Sequence, residues 1–147
     1  MTPFEIVSTT VDQKALSVPP KTQEVYGLIE HFRKINHADK LSGFKLCRAI
    51  NLGIIKYLKT NFPEIECSVY YCQKYPWINR SMMPCEHFIG AIKTSDGYLW
   101  FDGTADQLNL RGFGKVFVQM VEKKEDIIPS ITATLGGKWE VPFINFK

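Results

Sequence analysis

The sequence predicts an α+β domain in which two N-terminal helices, the second carrying a cysteine near its start, pack on an antiparallel β-sheet. Between Thr22 and Asn61 apolar residues recur with helical period, and after Pro63 the chain turns to short β-branched and aromatic runs separated by turn residues. The 147 residues, 45% of them hydrophobic, are enough for one domain with its own buried core. That domain is expected over residues 22–147, preceded by an extended lead-in over 1–21.

The lead-in is rich in Ser, Thr and Pro and closes with Pro19-Pro20. Thr22 is placed as the cap of the first helix. Val25, Leu28, Ile29 and Phe32 follow at the i, i+3, i+4, i+7 spacing of one buried face, Glu24 sits where the helix dipole favours a carboxylate, and the helix runs to about Ile35. His37 to Gly43 reads as a polar connection. A second helix opens at Ser42 or Gly43 and ends near Asn61, two residues before Pro63. Leu46, Ala49, Ile50, Gly53, Ile54, Tyr57 and Leu58 are assigned to its buried side, and Lys45, Arg48, Asn51, Lys56 and Lys59 to the other. Cys47 falls at the edge of the apolar side.

Strands are expected at Cys67 to Cys72, His87 to Lys93, Tyr98 to Asp102 and Lys115 to Val121, with Ser95-Asp96-Gly97 as the turn between the second and third. Two more are expected at Ser130 to Leu135 and Lys138 to Phe146. Gly112, Gly114, Gly136 and Gly137 read as turns, since no strand-Gly-helix arrangement surrounds them.

Eighteen Lys and Arg against fifteen Asp and Glu give a formal charge of +3, with the basic residues scattered, which gives nucleic-acid binding no support. No apolar run approaches the roughly 18 residues of a membrane span, and the segment Met1 to Gln13 lacks the basic start and apolar core of a secretory signal. A cytoplasmic location, or export by a leaderless route, is expected. Cys47, Cys67, Cys72 and Cys85 are taken as thiols, because a domain of this size needs no disulfide framework.

A thiol becomes a nucleophile when an imidazole takes its proton and backbone N–H groups at a helix start stabilise the thiolate. Cys47 has the helix. Of the three histidines, His31 lies on the first helix, His37 in the loop after it, and His87 opens a strand. Asp102 ends the partner strand of the hairpin and can orient the His87 ring. One register sets Asp102 opposite His87 and another sets it opposite Ile89; both keep the two side chains on one face, about 5 to 8 Å apart at Cβ. A tight Asp96-Gly97 turn would bring Asp106 across from His87 instead.

The helix start Gly43-Phe-Lys-Leu-Cys47-Arg-Ala49, an imidazole about forty residues on, and an aspartate in Trp100-Phe-Asp102-Gly-Thr104-Ala-Asp-Gln107 resemble the transglutaminase-like branch of the papain-like cysteine enzymes. There the chain order is Cys, His, Asp, and a Thr often follows the aspartate closely. The resemblance spans Gly43 to Gln107. It implies a cysteine helix packed on an antiparallel sheet and acyl transfer through a thioester, by hydrolysis, deamidation or transfer to an amine. It also implies Cys47 as nucleophile, His87 as general base and then acid, Asp102 as orienter, and the Cys47 N–H as one oxyanion donor. The substrate is then a protein or peptide, and no metal or organic cofactor is required. Arylamine N-acetyltransferases share the Cys, His, Asp order but are longer.

Tyr75, Trp77, Met82 and Met83 lie in the loop Gln73 to Glu86 just before His87, where they read as one wall of a substrate groove or as a flap over the sheet. Tyr75 and Trp77 are the substrate-binding candidates. No Gln or Trp lies between Asn36 and Cys47 to serve as the second oxyanion donor. This motivates an alternative, a catalytically silent domain that binds a protein partner through the aromatic loop. A zinc set of Cys67, Cys72, Cys85 and His87 is disfavoured, because residues five apart on a strand point to opposite faces.

Overall fold

The computed structural model describes residues 16–41, 46–72, 87–105 and 116–144. Helix α1 spans Thr22–Ile35, a single turn α2 Ala38–Leu41, and a π-helical turn Arg48–Leu52 runs directly into α3, Gly53–Asn61. Strands β1 (Cys67–Cys72), β2 (His87–Thr94), β3 (Gly97–Asp102) and β4 (Phe117–Val121) form one antiparallel sheet in that order. Helix α4, Ile127–Leu135, follows. The architecture is α+β.

The four apolar positions of α1 are all buried. Its cap is Lys21 rather than Thr22: Glu24, in the first turn, reaches back to accept a hydrogen bond from Lys21 N at 2.8 Å, so a carboxylate three residues on does the work expected of the threonine hydroxyl. The end of the lead-in docks here, with Ser17 N donating to Glu24 Oε2 and Ser95 N to Pro20 O. The connection after α1 is not wholly irregular, since it contains α2.

Both faces of the sheet are covered, which is why β2 and β3 read as nearly continuous apolar runs. Val69, Phe88, Ile92, Leu99 and Phe101 face α1 and α3 in one core; Tyr70, Cys72, Ile89, Ala91 and Trp100 face α4 and Trp139 in the other. Gly90 permits the first packing. The ring of Phe101, its cross-strand partner, occupies the place of a Cβ, and Ile55 Cδ1 would stand 3.1 Å from one.

Two expected strands are corrected. Residues 130–135 belong to α4: Ile127, Ile131 and Leu135 recur every four residues and are buried, so the period is helical although the residues are β-branched. Pro129 is accommodated in the first turn, where backbone N–H groups have no intrahelical acceptor. Among the described residues of the C-terminal stretch only Glu140 pairs, exchanging two backbone hydrogen bonds with Tyr71 at the outer edge of β1. Among the described residues, no helix is long and apolar enough to cross a membrane.

Candidate active site

Three elements meet at one end of the sheet. Cys47 is helical at the head of the π-turn, with φ −60° and ψ −32°, and is buried. His87 opens β2 and Asp102 closes β3. The hairpin pairs Thr94 with Gly97 through a two-residue Ser95-Asp96 turn, so its register, continued by one pair beyond Gly90 and Phe101, brings Asp102 level with Ile89. That is the second of the two expected registers that keep Asp102 and His87 on one face. His87 Nε2 and Asp102 Oδ2 lie 2.7 Å apart and neither side chain is exposed.

The Cys47 thiol lies near enough to the same imidazole to be one of the influences that raise its proton affinity. Burial pushes the His87 pKa down and the Asp102 pKa up. The charge each presents to the other, together with their hydrogen bond, outweighs burial, so His87 is raised above its ordinary value and Asp102 held below its own. Hydrogen bonds from Asn51 and Thr104 favour the ionised Asp102 further. Nε2 is the ring nitrogen engaged by Asp102.

Asp102 Oδ1 accepts from Thr104 N at 2.9 Å, Thr104 Oγ1 at 2.8 Å and Asn51 Nδ2 at 3.0 Å. Asn51 also donates to Phe88 O at 2.7 Å and accepts from Gly103 N at 2.7 Å. Asn51 is therefore buried, which corrects its assignment to the polar side of the helix, and Ala49, expected inside, is exposed. The buried arc is centred on Cys47, Ile54 and Leu58 rather than on Gly53. A polar residue whose hydrogen-bonding groups are met inside the protein can occupy a core position, and Asn51 stands one turn after Cys47, a spacing visible in the sequence.

The turn after Asp102 is close-packed. A Cβ on Gly103 would lie 2.8 Å from Ile50 Cγ2 and 3.1 Å from both Asn51 Oδ1 and Ile29 Cγ2. Arg33 of α1, which no local pattern singles out, donates from Nη1 to Gly103 O at 2.6 Å and from Nη2 to Asp39 Oδ1 at 3.0 Å. Trp139 stands T-shaped to the His87 ring, with centroids 6.1 Å apart, and Cys72 is the cross-strand partner of His87. The Trp139 indole N–H is committed to Gly136 O.

Tyr75, Trp77, Cys85 and Asp106 lie outside the described residues. Cys67 and Cys72 point into different cores, and among the described residues no group of three or more His, Cys, Asp or Glu is placed to hold a metal ion. Burial pushes the Cys67 thiol up to about 11, out of the range of a nucleophile at neutral pH. A cavity of about 740 Å³ between α1 and α2, lined by His31, Arg33, Lys34 and His37 among others, includes none of Cys47, His87 and Asp102.

No family model, no curated protein and no solved structure matches the chain at a significant level. The functional reading therefore rests on the geometry.

Proposed function

We propose that this chain is a cysteine-dependent acyl-transfer enzyme acting on the amide bond of a protein or peptide, of the transglutaminase-like, papain-like type that its Cys, His, Asp order resembles. The observation that carries this reading is a buried imidazole with Asp102 hydrogen-bonded to one nitrogen and the Cys47 thiol near enough to the ring to raise its proton affinity. A structural histidine needs neither partner in that combination.

The proposed steps use these groups in turn. The Cys47 proton moves to His87 Nδ1, and the raised proton affinity of the ring, sustained by Asp102, favours the imidazolium that accompanies a thiolate. The thiolate attacks the amide carbon, and the imidazolium returns its proton to the departing nitrogen as the carbon–nitrogen bond breaks. A thioester remains. Water, or an amine, then attacks it with His87 as base, and the thiol is regenerated with release of an acid or a new amide.

The test is alkylation of the folded protein by iodoacetamide at neutral pH, with the modified cysteine located by mass spectrometry. Cys47 is expected to react ahead of Cys67 and Cys72, and His87→Ala is expected to slow it at least about tenfold while the circular dichroism spectrum is retained. Equal labelling of the wild type and the folded His87 variant would overturn the proposal.

A further inference from the structure

We infer that Asn51 is a positioning residue, a side chain that sets where the Cys47 helix stands relative to the His87–Asp102 pair and holds the plane in which the Asp102 carboxylate meets the imidazole. The inference deepens the functional reading above and rests on it.

Asn51 lies one turn after Cys47 on the same helix. Its side chain makes three hydrogen bonds, and each ends beside a member of the site. One N–H reaches Phe88 O, the carbonyl of the residue after His87. The other reaches Asp102 Oδ1, and its own carbonyl takes the N–H of Gly103, the residue after Asp102. One planar amide therefore joins the nucleophile's helix to the end of β3 and the start of β2, with all three bonds between 2.7 and 3.0 Å and no exposure to solvent. A misplacement of about 1 Å in such a constellation costs orders of magnitude in rate.

The bond to Oδ1 also helps to hold the plane of the carboxylate. Oδ1 is held by Asn51 and by both donors of Thr104 while Oδ2 meets His87, so tilting the carboxylate out of this plane would weaken all four bonds. The two Thr104 donors come from β3's own turn and say nothing about where the helix stands. Only Asn51 ties Cys47 to that carboxylate by a side-chain bond among the described residues.

The experiment compares Asn51→Ala and Asn51→Asp with Ile54→Ala, which opens a hole in the same helix–sheet core without touching the site. The rate of Cys47 alkylation is measured against pH, and the His87 imidazole is titrated by NMR in the same proteins. Asn51→Ala is expected to slow alkylation at neutral pH at least about tenfold beyond the effect of Ile54→Ala. Asn51→Asp keeps size and the acceptor for Gly103 N but sets a carboxylate against Asp102, so the acid limb of its profile is expected to move up by about one pH unit or more. Profiles and titrations that superimpose on those of Ile54→Ala would reduce Asn51 to a packing role and overturn the inference. Should Asn51→Ala not fold, Asn51→Asp decides alone, and an unshifted profile overturns it. Failure of the enzymatic reading is read separately from His87→Ala, because the NMR titration of the Asn51 variants needs no reactive thiol.

Discussion

The Arg33 guanidinium, on α1, and the Gly103 carbonyl, at the end of β3, are joined by a 2.6 Å hydrogen bond across seventy residues of sequence. That bond braces the turn which presents Asp102 and Thr104. Arg33→Met, which keeps the apolar stem, is expected to destabilise the fold by about 2–3 kcal/mol, as loss of a buried charge-assisted bond does. Arg33→Lys is not expected to restore it, since a single ammonium cannot serve Gly103 O and Asp39 in the geometry of the two-edged fork. Asp39→Asn should cost less than about 1 kcal/mol, because the Asp39 side chain is 70% exposed. Urea unfolding of the three variants checks the ranking.

The His87–Asp102 pair fixes the pH dependence of stability. His87 has a raised pKa, so its contribution is complete below the ordinary value of 6.5 and is lost as pH rises through the raised one. Asp102 has a lowered pKa, so its contribution is complete above the ordinary value of 3.8 and is lost as pH falls through the lowered one. Both act in full only between those two ordinary values. Asp102→Asn is therefore expected to cost about 3–5 kcal/mol near pH 5 and less near pH 9. Urea midpoints measured at both values check it, and a difference that stays constant would contradict the pairing.

Gly103→Ala is expected to destabilise by about 1–3 kcal/mol, because the new methyl meets Ile50 Cγ2 at 2.8 Å in a core with no slack. The same methyl would press on Asn51 Oδ1 at 3.1 Å. Thermal unfolding measures the first effect, and a slower alkylation of Cys47 in the folded variant measures the second.

Much of the scaffold was legible in the residues. The α1 face needed only periodicity, since Val25, Leu28, Ile29 and Phe32 are apolar and inside. β1 to β3 were marked by β-branched and aromatic runs around a Ser-Asp-Gly turn, and the turn narrowed the register enough to bring Asp102 to the face of His87. Sorting by polarity failed at Asn51, because the three bonds that satisfy it come from residues remote in sequence. It failed again at Ala49, whose small side chain reports little about which way it faces. Residues 130–135 were misread because Ile and Thr favour strands locally, whereas burial of Ile127, Ile131 and Leu135 against the sheet decides for a helix. Arg33 carried no local signal at all. Tyr75 and Trp77 fall outside the described residues, so the aromatic loop neither gains nor loses support.

His87 and Asp102 reach each other only once the β2–β3 hairpin has closed, and Asn51 meets them only once the helix has docked on that hairpin. An unfolded chain therefore carries Cys47 as an ordinary thiol, and whatever special reactivity it possesses is born with tertiary structure. With Cys47 as the proposed nucleophile, the chain would hold an internal gauge of its own native population: under mild denaturation, the fast-reacting fraction of Cys47 should decline in step with the cooperative loss of the sheet.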